Sequence, residues 1–136
     1  MSRLHPLFNV IHTNAALHKT AKLMRKLDRQ PAMAHPAYAL LLSLVQARVP
    51  AFQGRDTGNA LWAFAKLPAA PPKDLISSLS AALERNMPAI TCRDLAEGSW
   101  GMATLRYNAS PSLLVAIGHR ATALFNDSRH VSYMLC

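Results

Sequence analysis

A chain of 136 residues is long enough for one domain and too short for two well-packed cores. Hydrophobic residues make up 51% of it and charged residues 16%, which excludes intrinsic disorder and, with the abundance of Ala and Leu, predicts an all-α fold. Fifteen Lys and Arg stand against seven Asp and Glu, and this formal net charge of +8 favours a polyanionic partner such as nucleic acid.

The N-terminal segment contains no acidic residue before Asp28. Apolar positions are interspersed with basic ones, a pattern typical of an organelle transit peptide, and we interpret residues 1–13 as a leader or an extended arm. The pattern indicates import into an organelle, and we expect a mitochondrial location, with the chloroplast as the alternative. Residues 14–29 are then either more of a targeting segment or the first helix of the mature fold.

An internal repeat organises the remainder, residues 14–136, as a single helical-repeat domain. Trp62 and Trp100 are 38 residues apart, which defines the offset of the repeat. A second shift by 38 residues toward the N-terminus aligns Leu23 with Leu61 and Met24 with Trp62. The repeats then span 14–51, 52–89 and 90–127, with a partial unit at 128–136. The first offset also superposes five further identical pairs: Arg55 on Arg93, Asp56 on Asp94, Ala65 on Ala103, Leu67 on Leu105 and Leu75 on Leu113.

Each repeat is predicted to be a pair of helices. The first helix covers residues 53–67 in the second repeat and begins at Thr91 in the third, where Asp94 completes a variant of the capping box. The second helices begin at Pro36, at Pro72 and at the pair Ser110-Pro111. Since neither helix of a pair buries its apolar face alone, we predict an α-solenoid of stacked antiparallel hairpins with a 38-residue period.

The segment from Asn59 to Leu67, NALWAFAKL, resembles the first-helix signature of octotricopeptide repeat proteins and of the related helical repeats in RAP-domain and FASTK-type proteins. The second helix of that family opens with prolines, an acid and a tryptophan. Here residues 71–75, PPKDL, keep two prolines and the acid, with Leu75 in the tryptophan's place. The resemblance implies hairpins of this length and the binding of organellar RNA.

The densest basic cluster lies early in the chain. We expect these side chains to contact phosphate, the alternative being a solvated or targeting helix. The cluster consists of Lys19, Lys22, Arg25, Lys26 and Arg29.

A polar stripe recurs at helical spacing in the first helices of repeats two and three. It is predicted to line one face of the solenoid, with the arginines on phosphate and with Asn59 and Glu97 on the base edges of single-stranded RNA. An ordinary solvated face is the alternative. Its members include Arg55, Asn59 and Lys66 in repeat two, and Arg93 and Glu97 in repeat three.

Two other pairs of residues receive structural roles. Asp56 and Asp94 are expected to cap helices. Trp62 and Trp100 are expected to pack between helices, on the side that the polar stripe avoids, rather than to stack on bases.

Catalytic signatures are absent from the sequence. The six histidines lie at no metal-ligand spacing, and the chain has neither a GxSxG motif nor a phosphate-binding GxxxxGK loop. Cys92 and Cys136 suggest no disulfide framework, and the longest strongly apolar run, residues 38–45, is far shorter than the roughly 20 residues that span a bilayer. We therefore expect no enzyme activity, metal, cofactor, small-molecule substrate or membrane span.

Three repeats reading about one base each are too few to select a transcript. The sequence therefore predicts a structural component of a ribonucleoprotein such as the mitochondrial ribosome, which binds rRNA segments and neighbouring proteins. The alternative is a protein-interaction scaffold, and a third interpretation is a piece of a longer repeat protein. RNA binding predicts basic residues on one face, whereas a scaffold predicts scattered charge and exposed apolar patches such as Met134 and Leu135.

Overall fold

The chain is all-helical over the residues that the computed structural model describes, 9–24, 36–67 and 70–127, which contain no strand. This confirms the predicted all-α class. Two short 3-10 helices follow the second and fourth α-helices, at Val49–Ala51 and Met87–Ala89. In this part of the chain the α-helices are α1 (Val10–Met24), α2 (Pro36–Arg48), α3 (Gly54–Lys66), α4 (Lys73–Asn86), α5 (Cys92–Thr104) and α6 (Pro111–Asn126).

The helices begin where the capping residues of the sequence predict. The Thr91 hydroxyl accepts a hydrogen bond from the Asp94 N–H at 3.2 Å and donates one to the Asp94 carboxylate at 2.8 Å. The Gln53 N–H donates to the Asp56 carboxylate at 2.9 Å, and the Ser110 hydroxyl caps α6. The capping role predicted for Asp56 is confirmed, since its carboxylate pairs a backbone N–H at the helix start. At α5 the cap is Thr91, and the Asp94 carboxylate holds the hydroxyl of that cap.

The first helices of the hairpins pack side by side, with α3 between α1 and α5. Each also contacts the second helix of its own pair, and α6 packs against both α4 and α5. One hydrophobic core draws on all six helices, and its centre is formed by fully buried side chains of α3 and α4: Leu61, Phe64, Leu79 and Leu83. Burial of these apolar side chains is the main stabilising contribution to the fold.

Helices α3 and α5 approach each other closely because glycines lie at the crossing. A Cβ atom at Gly101 would lie 2.7 Å from the backbone carbonyl of Leu61, and one at Gly58 would lie 2.9 Å from the Asp94 carbonyl oxygen. These distances are shorter than any ordinary carbon contact, so only glycine permits the approach. The close crossing sets the spacing of the polar groups that α3 and α5 carry.

Helix α1, the first helix of the first repeat, departs from the predicted register. Helix α1 begins at Val10, before the predicted boundary at residue 14, and Leu23 is 59% exposed whereas Leu61 is fully buried. The superposition of Leu23 on Leu61 is therefore wrong, and the buried Leu17 takes the corresponding position in α1. The physical reason is that the connection from α1 to α2 is longer than the connection from α3 to α4.

The N-terminal hydrogen bonds of α1 establish its true register against α3. The Thr13 hydroxyl donates to the Asn9 carbonyl oxygen at 2.9 Å, and the Thr57 hydroxyl donates to the Gln53 carbonyl oxygen at 2.9 Å. Both threonines are fully buried. The two helices therefore start in the same way, with an offset larger than the predicted period.

Two carbonyl groups that follow the 3-10 helices are held by the next second helix along the chain. The Phe52 carbonyl oxygen accepts hydrogen bonds from Asn86 Nδ2 at 2.9 Å and from Arg85 at 3.2 Å. The Ile90 carbonyl oxygen accepts two from the Arg120 guanidinium, at 2.9 and 3.1 Å. These bonds tie α4 to the residue that follows the first 3-10 helix, and α6 to the residue that follows the second.

Candidate nucleic-acid interface

A groove of about 590 Å³ runs across the N-terminal halves of α1, α3 and α5. Four of the predicted RNA-binding residues line it: Lys19, Arg55, Asn59 and Arg93. Arg55 and Arg93 occupy the same position on neighbouring helices, and Lys19 reaches the groove from α1. The fold therefore brings together cations that lie far apart in the sequence.

The other predicted site residues fall outside this groove lining. Lys22 is exposed on α1, and Lys66 and Glu97 lie further along α3 and α5. Arg25, Lys26 and Arg29 lie outside the described residues, as does the partial unit at 128–136 with Met134 and Leu135.

The carboxylates in the groove are engaged in helix capping. Asp56 accepts from the Gln53 N–H and Asp94 from the Thr91 hydroxyl, so both point at their own helix starts. Lys19 and Arg55 are exposed. An anionic ligand in the groove would therefore meet accessible cations, while the acids remain held by short hydrogen bonds.

Glu97, predicted to contact a base edge, is engaged by an arginine. Arg93 Nε donates to Glu97 Oε1 at 3.1 Å, and the side chains are 79% and 20% exposed respectively. Arg93 is the exposed partner and uses its Nε for this bond, so the remaining N–H groups of its guanidinium can contact a phosphate while the pair with Glu97 persists. The pair also neutralises the one carboxylate of the stripe.

The two tryptophans do not share the buried position predicted for them. Trp100 is 43% exposed, so its assignment to the core is wrong, while Trp62 is half-buried against the core. Lys66 Nζ lies 5.5 Å from the Trp62 ring centroid and 5.0 Å from that of Trp100. The stripe therefore runs along the tryptophan side, contrary to expectation. The spacing carried this signal, because Lys66 follows Trp62 by one helical turn and shares its face.

Two residues of α1 belong to this surface and were not singled out from the sequence. The His18 ring stacks on Trp62, with centroids 5.0 Å apart and planes 22° from parallel. Asn14 is 8% exposed and lines the groove, and its Oδ1 has no hydrogen-bond partner among the described residues. Their positions depend on the register of α1, which the 38-residue offset does not give.

Within residues 9–24, 36–67 and 70–127, no three His, Cys, Asp or Glu side chains gather to hold a metal ion. No α-helix in that part of the chain is both long and apolar enough to cross a membrane. Comparison of the sequence and structure with protein-family models, curated proteins and solved structures finds no match.

Proposed function

We propose that this protein is an RNA-binding helical-repeat protein, an α-solenoid of hairpins with a 38-residue period that resembles the octotricopeptide repeat family. The helix bounds support the period, because α5 begins one full period after α3, α6 begins one full period after α4, and the two 3-10 helices are offset by the same amount. The bonds from α4 to Phe52 and from α6 to Ile90 support stacking, because each links one hairpin to the next in the same way.

The observation that carries the proposal is the convergence of Lys19, Arg55 and Arg93 on one groove beside the aromatic pair Trp62 and His18. Phosphate contacts from Lys and Arg supply most of the affinity of proteins for nucleic acid, and aromatic rings hold unpaired bases. A single-stranded RNA segment satisfies both features of this surface.

Two arginines outside the groove donate hydrogen bonds to backbone carbonyl groups within the fold. Arg85 donates to the carbonyl oxygens of Val49 and Phe52, and Arg120 donates to that of Ile90. These two cations are held by backbone groups of the fold, whereas Lys19, Arg55 and Arg93 come together along one groove. Such gathering favours RNA binding over a scaffold with scattered charge.

The length of the repeat array sets the biological setting of the proposal. Three first helices present about three nucleotide positions, too few to select one transcript. A structural role on rRNA segments within a ribonucleoprotein, the mitochondrial ribosome or its chloroplast counterpart, fits a short array that binds by charge and shape. Neighbouring proteins would contribute the rest of the specificity.

A second candidate, a protein-interaction scaffold, is favoured by the outer face of α6. Leu114, Val115 and Phe125 are 57%, 58% and 67% exposed there. Apolar side chains grouped on one surface commonly mark protein contacts. Because α6 contributes no residue to the groove lining, the two functions are compatible in one molecule.

The test is the salt dependence of binding between the full chain and a short single-stranded RNA, followed by fluorescence anisotropy. Each lost phosphate contact lowers the slope of log affinity against log salt by about 0.7 for single strands. We expect Arg55→Gln combined with Arg93→Gln to lower the slope by about twice that amount, and neutralising Lys19 and Lys22 to act in the same direction.

The matched control is Lys73→Gln, which removes an equally exposed cation at the start of α4, outside the groove. It should leave the slope nearly unchanged. Equal slopes for the groove variant, the control variant and the unmodified chain would show that the groove cations do not contact phosphate.

A further inference from the structure

We propose that Trp100 is a stacking platform for an unpaired nucleobase. This inference rests on the proposed RNA binding and adds to it the group that is bound and the ring that binds it. It assigns recognition of the base to the tryptophan ring, whereas the sequence alone assigns it to Asn59 and Glu97.

The first argument is that planar rings recur at one position on successive first helices. His18 on α1 stacks on Trp62 of α3 at 5.0 Å, and Trp100 is the residue of α5 that repeats Trp62. The ammonium of Lys66 lies within 5.5 Å of both tryptophan ring centroids. We call this row of four side chains, His18, Trp62, Lys66 and Trp100, the aromatic ladder.

The second argument is that the aromatic ladder ends on an accessible ring. Trp62 has His18 on it as well as Lys66, whereas Trp100 has Lys66 and no second ring or cation over it among the described residues. Trp100 is also 43% exposed. A base stacked on Trp100 would continue the ladder by one step and would cover apolar surface that now faces solvent.

The third argument concerns charge, which distinguishes a nucleic acid from a peptide. Lys66 lies against the ring, and the carboxylate of Glu97, one turn before Trp100, is paired with Arg93. The surroundings of the ring are therefore cationic or neutralised. They favour a ligand that joins a flat ring to a negative charge, as a nucleotide does.

The decisive experiment measures RNA affinity in the full chain with Trp100→Ala, Trp100→Phe and a matched control. Stacking of one base on an aromatic side chain contributes about 1–3 kcal/mol, which corresponds to a loss of about 5- to 150-fold on truncation to alanine. Trp100→Phe keeps a ring and should retain most of the affinity. The control is Phe125→Ala, which removes an exposed aromatic side chain from α6 and should leave affinity unchanged.

A spectroscopic measurement separates stacking from a structural effect of the substitution. The chain has two tryptophans, so Trp62→Phe leaves Trp100 as the one reporter. Binding of a short oligouridine should quench its fluorescence, whereas an abasic sugar-phosphate strand should bind through the groove without the same quenching.

The outcomes distinguish this inference from the proposed function. If Arg55→Gln with Arg93→Gln weakens RNA binding while Trp100→Ala changes affinity less than twofold, RNA binding stands and the stacking platform is overturned. If the unmodified chain binds no RNA, both fail. Tighter binding of an aromatic peptide than of RNA at Trp100 would also overturn the inference.

Discussion

Helices α4 and α6 carry the same apolar pattern one repeat period apart, but they bury it to different degrees. Ile76 on α4 is 5% exposed, whereas the corresponding Leu114 on α6 is 57% exposed. Met87, just after α4, is 4% exposed, and the corresponding Phe125 is 67% exposed. The difference arises because α6 packs against α4, while within the described residues no further hairpin packs beyond α6.

The apolar residues of α4 and α6 therefore form similar surfaces, but such a surface is buried only where another helix packs against it. In the solenoid that we propose, each hairpin contacts mainly its neighbours, so stability is divided between the units and the interfaces between them. Equivalent residues in α4 and α6, such as Ile76 and Leu114, should therefore respond differently to the same substitution. The experiments below test this pair first and then other contrasts between packed and open positions.

The largest difference is expected for truncation of the buried and exposed members of one pair. Ile76→Ala should destabilise the chain by about 2–4 kcal/mol because it removes buried methyl groups and leaves a cavity. Leu114→Ala should cost about 0.5 kcal/mol, as expected for a substitution at an exposed position. Chemical denaturation of both variants measures the two values, and equal losses would contradict the comparison.

Alanine substitutions of glycine should change the stability of the fold in opposite directions at the close crossing of α3 and α5 and at the open surface of α6. Gly101→Ala should destabilise by about 1–3 kcal/mol, because its Cβ would meet the Leu61 backbone at 2.7 Å. Gly118→Ala should stabilise by up to about 1 kcal/mol, since alanine is the better helix former. No atom other than those of its own helix and chain neighbours lies within 4 Å of a Cβ built at Gly118. Thermal unfolding of the two variants provides the test.

Removal of the hydrogen bond from α4 to the Phe52 carbonyl oxygen should lower the stability of the fold by an intermediate amount. Asn86→Ala removes the donor that lies 2.9 Å from the Phe52 carbonyl oxygen and should cost about 1 kcal/mol. The matched substitution is Asn126→Ala at the exposed end of α6, for which we expect almost no change. Urea titrations compare the stabilities of the two variants. An equal loss of stability at residues 126 and 86 would show that the bond from Asn86 to the Phe52 carbonyl oxygen does not stabilise the fold.

The smallest effect on stability is expected at Tyr38, which precedes Ile76 by the same offset that separates Ile76 from Leu114. Its hydroxyl is buried with no partner in the described part of the chain, so Tyr38→Phe should stabilise by up to about 1 kcal/mol.

Burial also raises the pKa of Tyr38. Because the unfolded chain then loses this proton at a lower pH than the folded one, stability should fall as the pH rises above about 10. The fall should be smaller in Tyr38→Phe, and unfolding measured along a pH series checks both expectations. An identical decline in the two proteins would exclude a contribution from this phenol.

Sequence reasoning locates most of the helices because the signals are local. Capping groups at Thr91 and Ser110 and prolines at the starts of second helices act within one turn, and the structure places helix starts there. The register of α1 cannot be obtained in this way. The connection from α1 to α2 is longer than that from α3 to α4, and a fixed offset of 38 residues does not allow for the difference. It therefore aligns the exposed Leu23 with the buried Leu61, whereas Leu17 takes that position.

Part of the charge of the candidate site can be predicted from the sequence, whereas the arrangement of its aromatic rings cannot. The recurrence of Arg55 and Arg93 on a polar stripe indicates the groove that they line. The exposure of Trp100 depends on which helices surround it, and that is a property of the packed layer rather than of any one segment. Apolar character alone therefore assigns Trp100 to the core.

The bonds from α4 to Phe52 and from α6 to Ile90 also bear on how the chain folds. They join residues that are 30 to 36 positions apart, so each closes a loop no longer than about one repeat. Folding held together by such short loops can start in one hairpin and propagate to the next. We expect the amides of α3 and α4 to exchange with deuterium most slowly and the outermost helices to open first.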